Sequence, residues 1–287
     1  MEKIKIITDS ASDVPAEAIK KYNIEVLPFT IVFPDGSEYL EQVDITYDEF
    51  YDKLSKSEGL PTTSQVTAYQ FEESLKQFVD EYDSIIIITI SSVSSNTYQN
   101  AISVVKQFQQ SGVRARLEVV DSMTYTGAYG VVVTRMAQMA SEGKTTDEIL
   151  EKGRFMLAHN RIYAVIDDLK YLKKSGRIKP LTFTLGSLLD IKPIVTVEDG
   201  LVAQFDKVRG VKKAAGRIIE LAKKETPDGD GMIILVGYST DNGTYDAFYQ
   251  RMRQEFPKAE FEEGRIGSTI GVHCGTGVVV ICLIKKC

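Results

Sequence analysis

Two stretches of the chain concentrate neutral hydroxyl and amide groups. In "LPTTSQVTAYQF", residues 60–71, Thr62, Thr63, Ser64 and Gln65 stand in a row ahead of an amphipathic helical pattern. In "TISSVSSNTYQNA", residues 89–101, Ser91, Ser92, Ser94, Ser95 and Thr97 follow a strongly apolar run. The commonest use of such side chains is to cap helices. At helix amino termini, exposed N–H groups and a partial positive charge already favour anions, so gathered hydroxyls there complete a cradle for a carboxylate or a phosphate. A hydrogen bond to a charged acceptor contributes about 1.5–3 kcal/mol, enough for two or three to orient an anion without a salt bridge.

An anion taken out of water still needs countercharge, or it takes up a proton. Arg177 in "KKSGRIKP" and Arg209 in "KVRGVKKA" are the candidates, and a solvated surface position is the competing reading for each. His273 in "GVHCGTG" is expected on a loop between glycines, with Cys274 beside it as a small buried residue. Other chemistries lack their parts. His159 and His273 are the only histidines, and neither Cys-x-x-Cys nor His-Glu-x-x-His occurs, so a zinc site has no ligand set. The "GKT" at Gly143 has Gln138 where a phosphate loop needs glycine, and it reads as a helix stop followed by the next helix's cap. No glycine-flanked serine marks a nucleophile elbow.

The elements that must hold these residues form an alternating pattern. "KIKII" reads as a strand, with Asp13 capping a helix that has Pro15 at its first position and runs to about Tyr22. "IEVLPFTIVF" reads as a strand, and the Asp35-Gly36 pair after it favours a tight reversal. Thr46 with Glu49, and Thr67 with Gln70, are capping boxes. "SIIIITI" is apolar on both faces, as a strand in the middle of a helix-covered parallel sheet must be. The serine cluster then lies at its carboxyl end, where open α/β sheets bind ligands. Asp9-Ser10 after the first strand and Asp121-Ser122 after "RLEVV" bring further polar groups to the same edge. From "RIYAVIDD" onward an Asp199-Gly200 hairpin signal argues for antiparallel pairing. The expectation is an α/β protein of two domains, 1–160 with a parallel sheet and 161–287 with a mixed or antiparallel one.

Composition narrows the function. With 287 residues and 43 % hydrophobic content the chain buries a proper core. Its net charge of −6, with Lys and Arg scattered, lacks the footprint of a nucleic-acid binder. The first residues do not describe a signal peptide, and no run is long enough for a membrane span. Three cysteines, odd in number and near one end, fit reduced thiols in a cytoplasm.

Together, "ITDSASDVP", "PTTSQVT", "ISSVSSNTYQNA", "VVDSMTYTGAYG", "DDLKYLKKSGRI", "LLDIKPIVTVEDG", "KVRGVKKA" and "GVHCGTG" resemble, in order and over essentially the whole chain, the DegV family of bacterial fatty acid-binding proteins. The resemblance implies two α/β domains enclosing a long-chain fatty acid in an interior tunnel. It implies no cofactor and no independent catalysis, and a partner: an ATP-dependent fatty acid kinase subunit that phosphorylates the bound acid for phospholipid synthesis. By motif, Thr63 and Ser95 would hold the carboxylate, Arg209 and His273 would lie near the head group or act in phosphorylation, and Arg177 would contact the kinase. The sequence departs from the family pattern at Val66-Thr67, at Asn96 and at Thr276. The competing function is a transferase or hydrolase of a small phosphorylated or carboxylated metabolite, with Asp9, Asp121 and His273 as acid–base groups.

Overall fold

The structure, a computed structural model, describes residues 2–166, 169–179, 191–241, 243 and 245–287. Asp167 and Asp168 of "DDLKYLKKSGRI", and residues 188–190 of "LLDIKPIVTVEDG", lie outside them.

The apolar opening forms β1 (Ile4–Asp9), followed by a 3-10 turn over Ser10–Ser12 and by α1 (Ala16–Tyr22). The capping expected of Asp13 is not what the fold uses. Pro15 itself stands at the helix cap, while Asp13 adopts left-handed backbone at φ 54° with its carboxylate buried. The residue before a proline avoids helical backbone, which starts the helix beyond Val14, and Asp13 is drawn to Thr126 and Gly267 instead. "IEVLPFTIVF" is likewise divided at Pro28-Phe29 into β2 (Glu25–Leu27) and β3 (Thr30–Val32), since proline donates no ladder hydrogen bond.

The Asp35-Gly36 reversal leads to β4 (Glu38–Leu40). Both capping boxes form, opening α2 (Tyr47–Lys56) at Thr46 and, after β5 (Thr62–Ser64), α3 (Ala68–Phe78) at Thr67. The hydroxyl row is therefore a strand and not a helix entrance. It pairs antiparallel with β3, Thr63 opposite Ile31, in a small sheet of order β4-β3-β5.

Next come β6 (Ser84–Thr89), α4 (Thr97–Gln110) and β7 (Arg116–Asp121), completing a parallel sheet of order β2-β1-β6-β7. Every residue of β6 is buried, as its apolar composition requires. Beyond it, α5 (Gly127–Ser141) ends near the "GKT" stop, and Thr145 caps α6 (Thr146–Ala158).

The second part contains β8 (Asn160–Val165), α7 (Leu169–Ser175), β9 (Ile191–Glu198) and β10 (Leu201–Arg209). It continues through α8 (Val211–Glu225), β11 (Met232–Tyr238), α9 (Tyr245–Glu255) and β12 (Glu260–Arg265), then α10 (Ser268–Cys274) and β13 (Val279–Lys285). Its sheet has the order β10-β9-β8-β13-β11-β12, antiparallel except for β11 with β12. Asp199 and Gly200 both take positive φ in the β9–β10 hairpin, as the turn demands. His273 sits on α10, and the glycine turn with positive φ at Gly275 and Gly277 comes after it.

The chain is thus an α/β protein with a parallel-sheet domain and a second domain built on a mixed sheet. The helix α5 joins them. It is buried from Gly127 to Val133 and packs against β1 on one side and β11 and β13 on the other. Such an all-round apolar helix belongs between two layers. Gly130 allows the contact, because a side chain there would strike the Ser12 carbonyl. Among the described residues no helix is long and apolar enough to cross a membrane.

Candidate functional site

Between the two domains lies a cavity of about 250 Å³. Most of its wall is hydrocarbon, supplied by Ile90 from the parallel-sheet domain and by Ile162, Ala164, Val195 and Val280 from the mixed sheet. These positions face inward because strands alternate their side chains, so residues two apart on β8 and β9 line one surface. The other end of the wall is polar, with Thr63, Ser94, Ser95, Arg177 and His273. An apolar interior with one polar pole suits a molecule that has a hydrocarbon body and an oxygen-bearing head.

The residues of that pole come from separate elements, Ser94 and Ser95 together from the loop ahead of α4. Thr63 is the middle residue of β5, and its Oγ1 shares a hydrogen bond of 3.1 Å with His273 Nε2 on α10. Ser95 lies just ahead of α4, where its Oγ accepts the Thr97 N–H at 3.3 Å and shares a 2.9 Å hydrogen bond with the Thr97 hydroxyl. Asn96 holds the cap position without a side-chain bond, so the capping is done by its neighbour. The amino terminus of this fourteen-residue helix therefore faces the cavity's polar end and favours negative charge there.

Arg177 supplies the cation. Its Nη1 donates to the Ser175 carbonyl at 2.6 Å and its Nε to the Ser94 carbonyl at 3.4 Å. Both partners are neutral, and it forms no ion pair with a carboxylate among the described residues. His273 is held neutral, because burial first and the nearby Arg177 second push its imidazole down to about 4. A smaller cleft of about 90 Å³ shares Thr63, Ser175, Arg177 and His273 with the cavity and is also lined by Lys174. The hairpin tip closes the assembly, as the Gly200 carbonyl accepts from both Ser91 Oγ and Tyr125 Oη at 2.8 Å.

Four of the five residues singled out from the sequence, Thr63, Ser95, Arg177 and His273, meet at this pole. Arg209 does not. It is exposed at the end of β10 and is not among the residues that line the cavity, although Lys207, two positions before it, pairs with Pro193, whose carbonyl accepts the N–H of the lining residue Ile166. Arg177, expected as a surface contact for the kinase, is among the residues at the pole, while a place for Arg209 near the head group stays a proposal. Asp9 and Asp121 also lie outside the lining. Asp9 accepts from Tyr129 Oη, Ile90 N and Ala11 N, and burial pushes it up to about 7. Asp121 accepts from the backbone of Ser92 and Met123. Sequence reasoning did not select Gln65, Ser175 or Thr269 for the site, although all three line the cavity. Gln65 and Ser175 both stood inside quoted motifs, whereas nothing local to Thr269 gives it away.

The family model described as "Uncharacterised protein, DegV family" matches residues 3–286. The chain belongs to the DegV family. A DegV domain-containing protein of Caldanaerobacter subterraneus subsp. tengcongensis is 35 % identical over 275 residues, 96 % of either chain. Among solved structures, DegV of Bacillus subtilis, described as a fatty acid binding protein, shares the fold at a TM-score of 0.87 and 27 % identity, with 100 % of both chains covered. A DegV family protein of Thermus thermophilus, described by its fatty acid binding, gives 0.89 at 26 % identity over 99 % of each chain.

Proposed function

We propose that this DegV family protein binds a long-chain fatty acid and presents its carboxylate to a separate ATP-dependent fatty acid kinase subunit. The observation that carries the reading is the polar cluster of Thr63, Ser95, Arg177 and His273 in a cavity whose wall is mostly apolar. The described relatives bind fatty acids, and the same ligand fits this lining. At about 0.8 kcal/mol per buried CH₂, some fifteen methylenes contribute on the order of 12 kcal/mol of gross transfer energy. Ordering the chain and the loss of its free motion offset much of this.

The head group explains the neutral donors. In acyl phosphate formation a carboxylate oxygen attacks the γ-phosphorus of ATP, a new P–O bond forms, and the bond to the departing ADP breaks. Hydroxyls and a neutral imidazole orient that oxygen without removing its charge, so it stays nucleophilic. Arg177 offers countercharge, and the smaller cleft beside Lys174 gives the transferred phosphoryl group a place next to the carboxylate. Of the three acid–base candidates for a stand-alone enzyme, Asp9 and Asp121 lie outside the lining and accept from backbone and tyrosine donors, and His273 alone lines the cavity. This counts against a stand-alone transferase or hydrolase. An ATP-dependent partner and three free cysteines fit a cytoplasmic location, and the division into 1–160 and 161–287 fits a ligand held between domains.

Two measurements test the proposal. Mass spectrometry of lipid extracted from the purified protein should recover fatty acid, and protein that repeatedly emerges empty and does not take up added acid refutes binding. With a kinase subunit and ATP, hydroxylamine should trap an acyl hydroxamate. Arg209→Ala should retain acid within about twofold, since Arg209 is exposed and is not part of the cavity lining.

A further inference from the structure

Two buried carboxylates outside the cavity lining hold the helix that carries His273. The amino terminus of α10 has no local cap, for Gly267 stands at that position. Its donors are met from the other domain. Gly267 N–H donates to Asp13 Oδ1 at 3.1 Å, and Thr269 N–H donates to Glu41 Oε1 at 2.8 Å. The Thr269 hydroxyl donates to Glu41 Oε2 at 2.5 Å. The remaining acceptor capacity is used as well, Asp13 Oδ2 by the Thr126 hydroxyl and Glu41 Oε2 by the Ser10 hydroxyl at 2.6 Å.

The arrangement has an energetic cost. A Cβ on Gly267 would strike both Asp13 Oδ1 and Glu41 Oε1, which puts the two oxygens within roughly 5 Å of each other, close enough for like charges to oppose one another. Both groups are buried, and neither forms an ion pair with a cation among the described residues. Burial and mutual repulsion raise Asp13 well above the carboxylate range, and burial raises Glu41. A serine at the cap position would satisfy one donor locally at far lower cost. What the two acids provide instead is a tie across 228 and 254 residues of sequence, fixing α10 to the parallel-sheet domain.

That tie leads to the cavity. Thr269 and His273 are four residues apart, hence on one face of α10, and both line the cavity. Ser10, the other partner of Glu41, accepts the Phe29 N–H at 2.9 Å, and Phe29 lines the cavity too. We infer that Asp13 and Glu41 are positioning residues for the head-group pole: by fixing the first turn of α10 they set His273 against Thr63. The inference rests on the reading of the cavity as an acid-binding site.

The test uses the full-length delipidated protein and two probes, palmitic acid and hexadecanol, which share a hydrocarbon chain and differ in the head. Glu41→Gln keeps the size of the side chain and places an amide donor among hydroxyl and N–H donors. Its preference for acid over alcohol should fall roughly tenfold, the loss of one hydrogen bond to a charged group, and the ¹⁵N signal of His273 Nε2 should move. Ser10→Ala, a milder change to the same carboxylate, should act in the same direction and serves if Glu41→Gln does not fold. Equal weakening of acid and alcohol, or an unmoved His273 signal, overturns the inference by reducing the carboxylates to packing. Wild-type protein that itself prefers neither probe overturns the acid-binding reading, and the inference with it.

Discussion

Replacing Thr63 with valine removes one hydroxyl while keeping a β-branched side chain that suits β5. The hydroxyl has two neighbours in this structure, His273 Nε2 at 3.1 Å and the cavity space where a carboxylate would sit. A lost hydrogen bond to a charged acceptor costs about 1.5–3 kcal/mol, which corresponds to a Kd for palmitic acid raised roughly 10- to 150-fold. For hexadecanol the lost bond is neutral, about 0.5–1.5 kcal/mol, and the weakening should be a few-fold to about tenfold. The assay is displacement of a fluorescent acyl probe from delipidated protein, run with acid and alcohol in parallel, with thermal unfolding as a control for the strand. The hydroxyl contributes at the rim of the small sheet and not in its core, so unfolding should shift by only a few degrees. Undiminished acid binding, or equal loss for both ligands, refutes the assignment of Thr63 to the head group.

Ser95→Ala should lower acid affinity in the same way and also cost about 1 kcal/mol of stability, because Ser95 Oγ accepts the Thr97 N–H at the start of α4; a drop in melting temperature with unchanged acid affinity would assign Ser95 to the helix alone. The pH dependence of stability should carry the mark of His273. Its folded value, about 4, lies below the 6.5 of the unfolded chain, so the unfolded state binds more protons between them and stability falls as pH drops through that window, by about 3 kcal/mol in total, levelling below about pH 4. Denaturant titrations of wild type and His273→Asn should therefore diverge between about pH 6.5 and 4 and run parallel above it. Ala164→Leu adds bulk to the cavity wall on β8 and should shift the chain-length profile toward shorter acids, at about 0.8 kcal/mol per displaced methylene; an unchanged chain-length profile would place the acyl chain elsewhere.

What the sequence by itself determined was local. The capping boxes at Thr46 and Thr67, the hairpin at Asp199-Gly200 and the buried central strand at Ser84–Thr89 follow from short-range hydrogen bonding, backbone preference and side-chain periodicity, and each is where those forces put it. Family membership was legible too, because eight motifs kept their order along the chain. Where a long-range contact outweighed a local one, the local expectation was displaced. Asp13 has a capping residue's chemistry, yet Thr126 and Gly267, more than a hundred residues away, claim its carboxylate. "TTS" precedes a helix but pairs with β3, and His273 belongs to a helix whose first turn is bound by Asp13 and Glu41.

The two arginines show the same division most plainly. Both have the charge to face an anion, and nothing in their flanking residues distinguishes them. Only the folded chain brings Arg177 to Ser94 in the cavity wall and leaves Arg209 exposed at the end of β10. Residue type decides which interactions are available. Distance decides which are made, and distances between elements far apart in sequence are fixed by the packing of α5 between two sheets and of α10 against α2, α7 and the small sheet, which no single segment encodes.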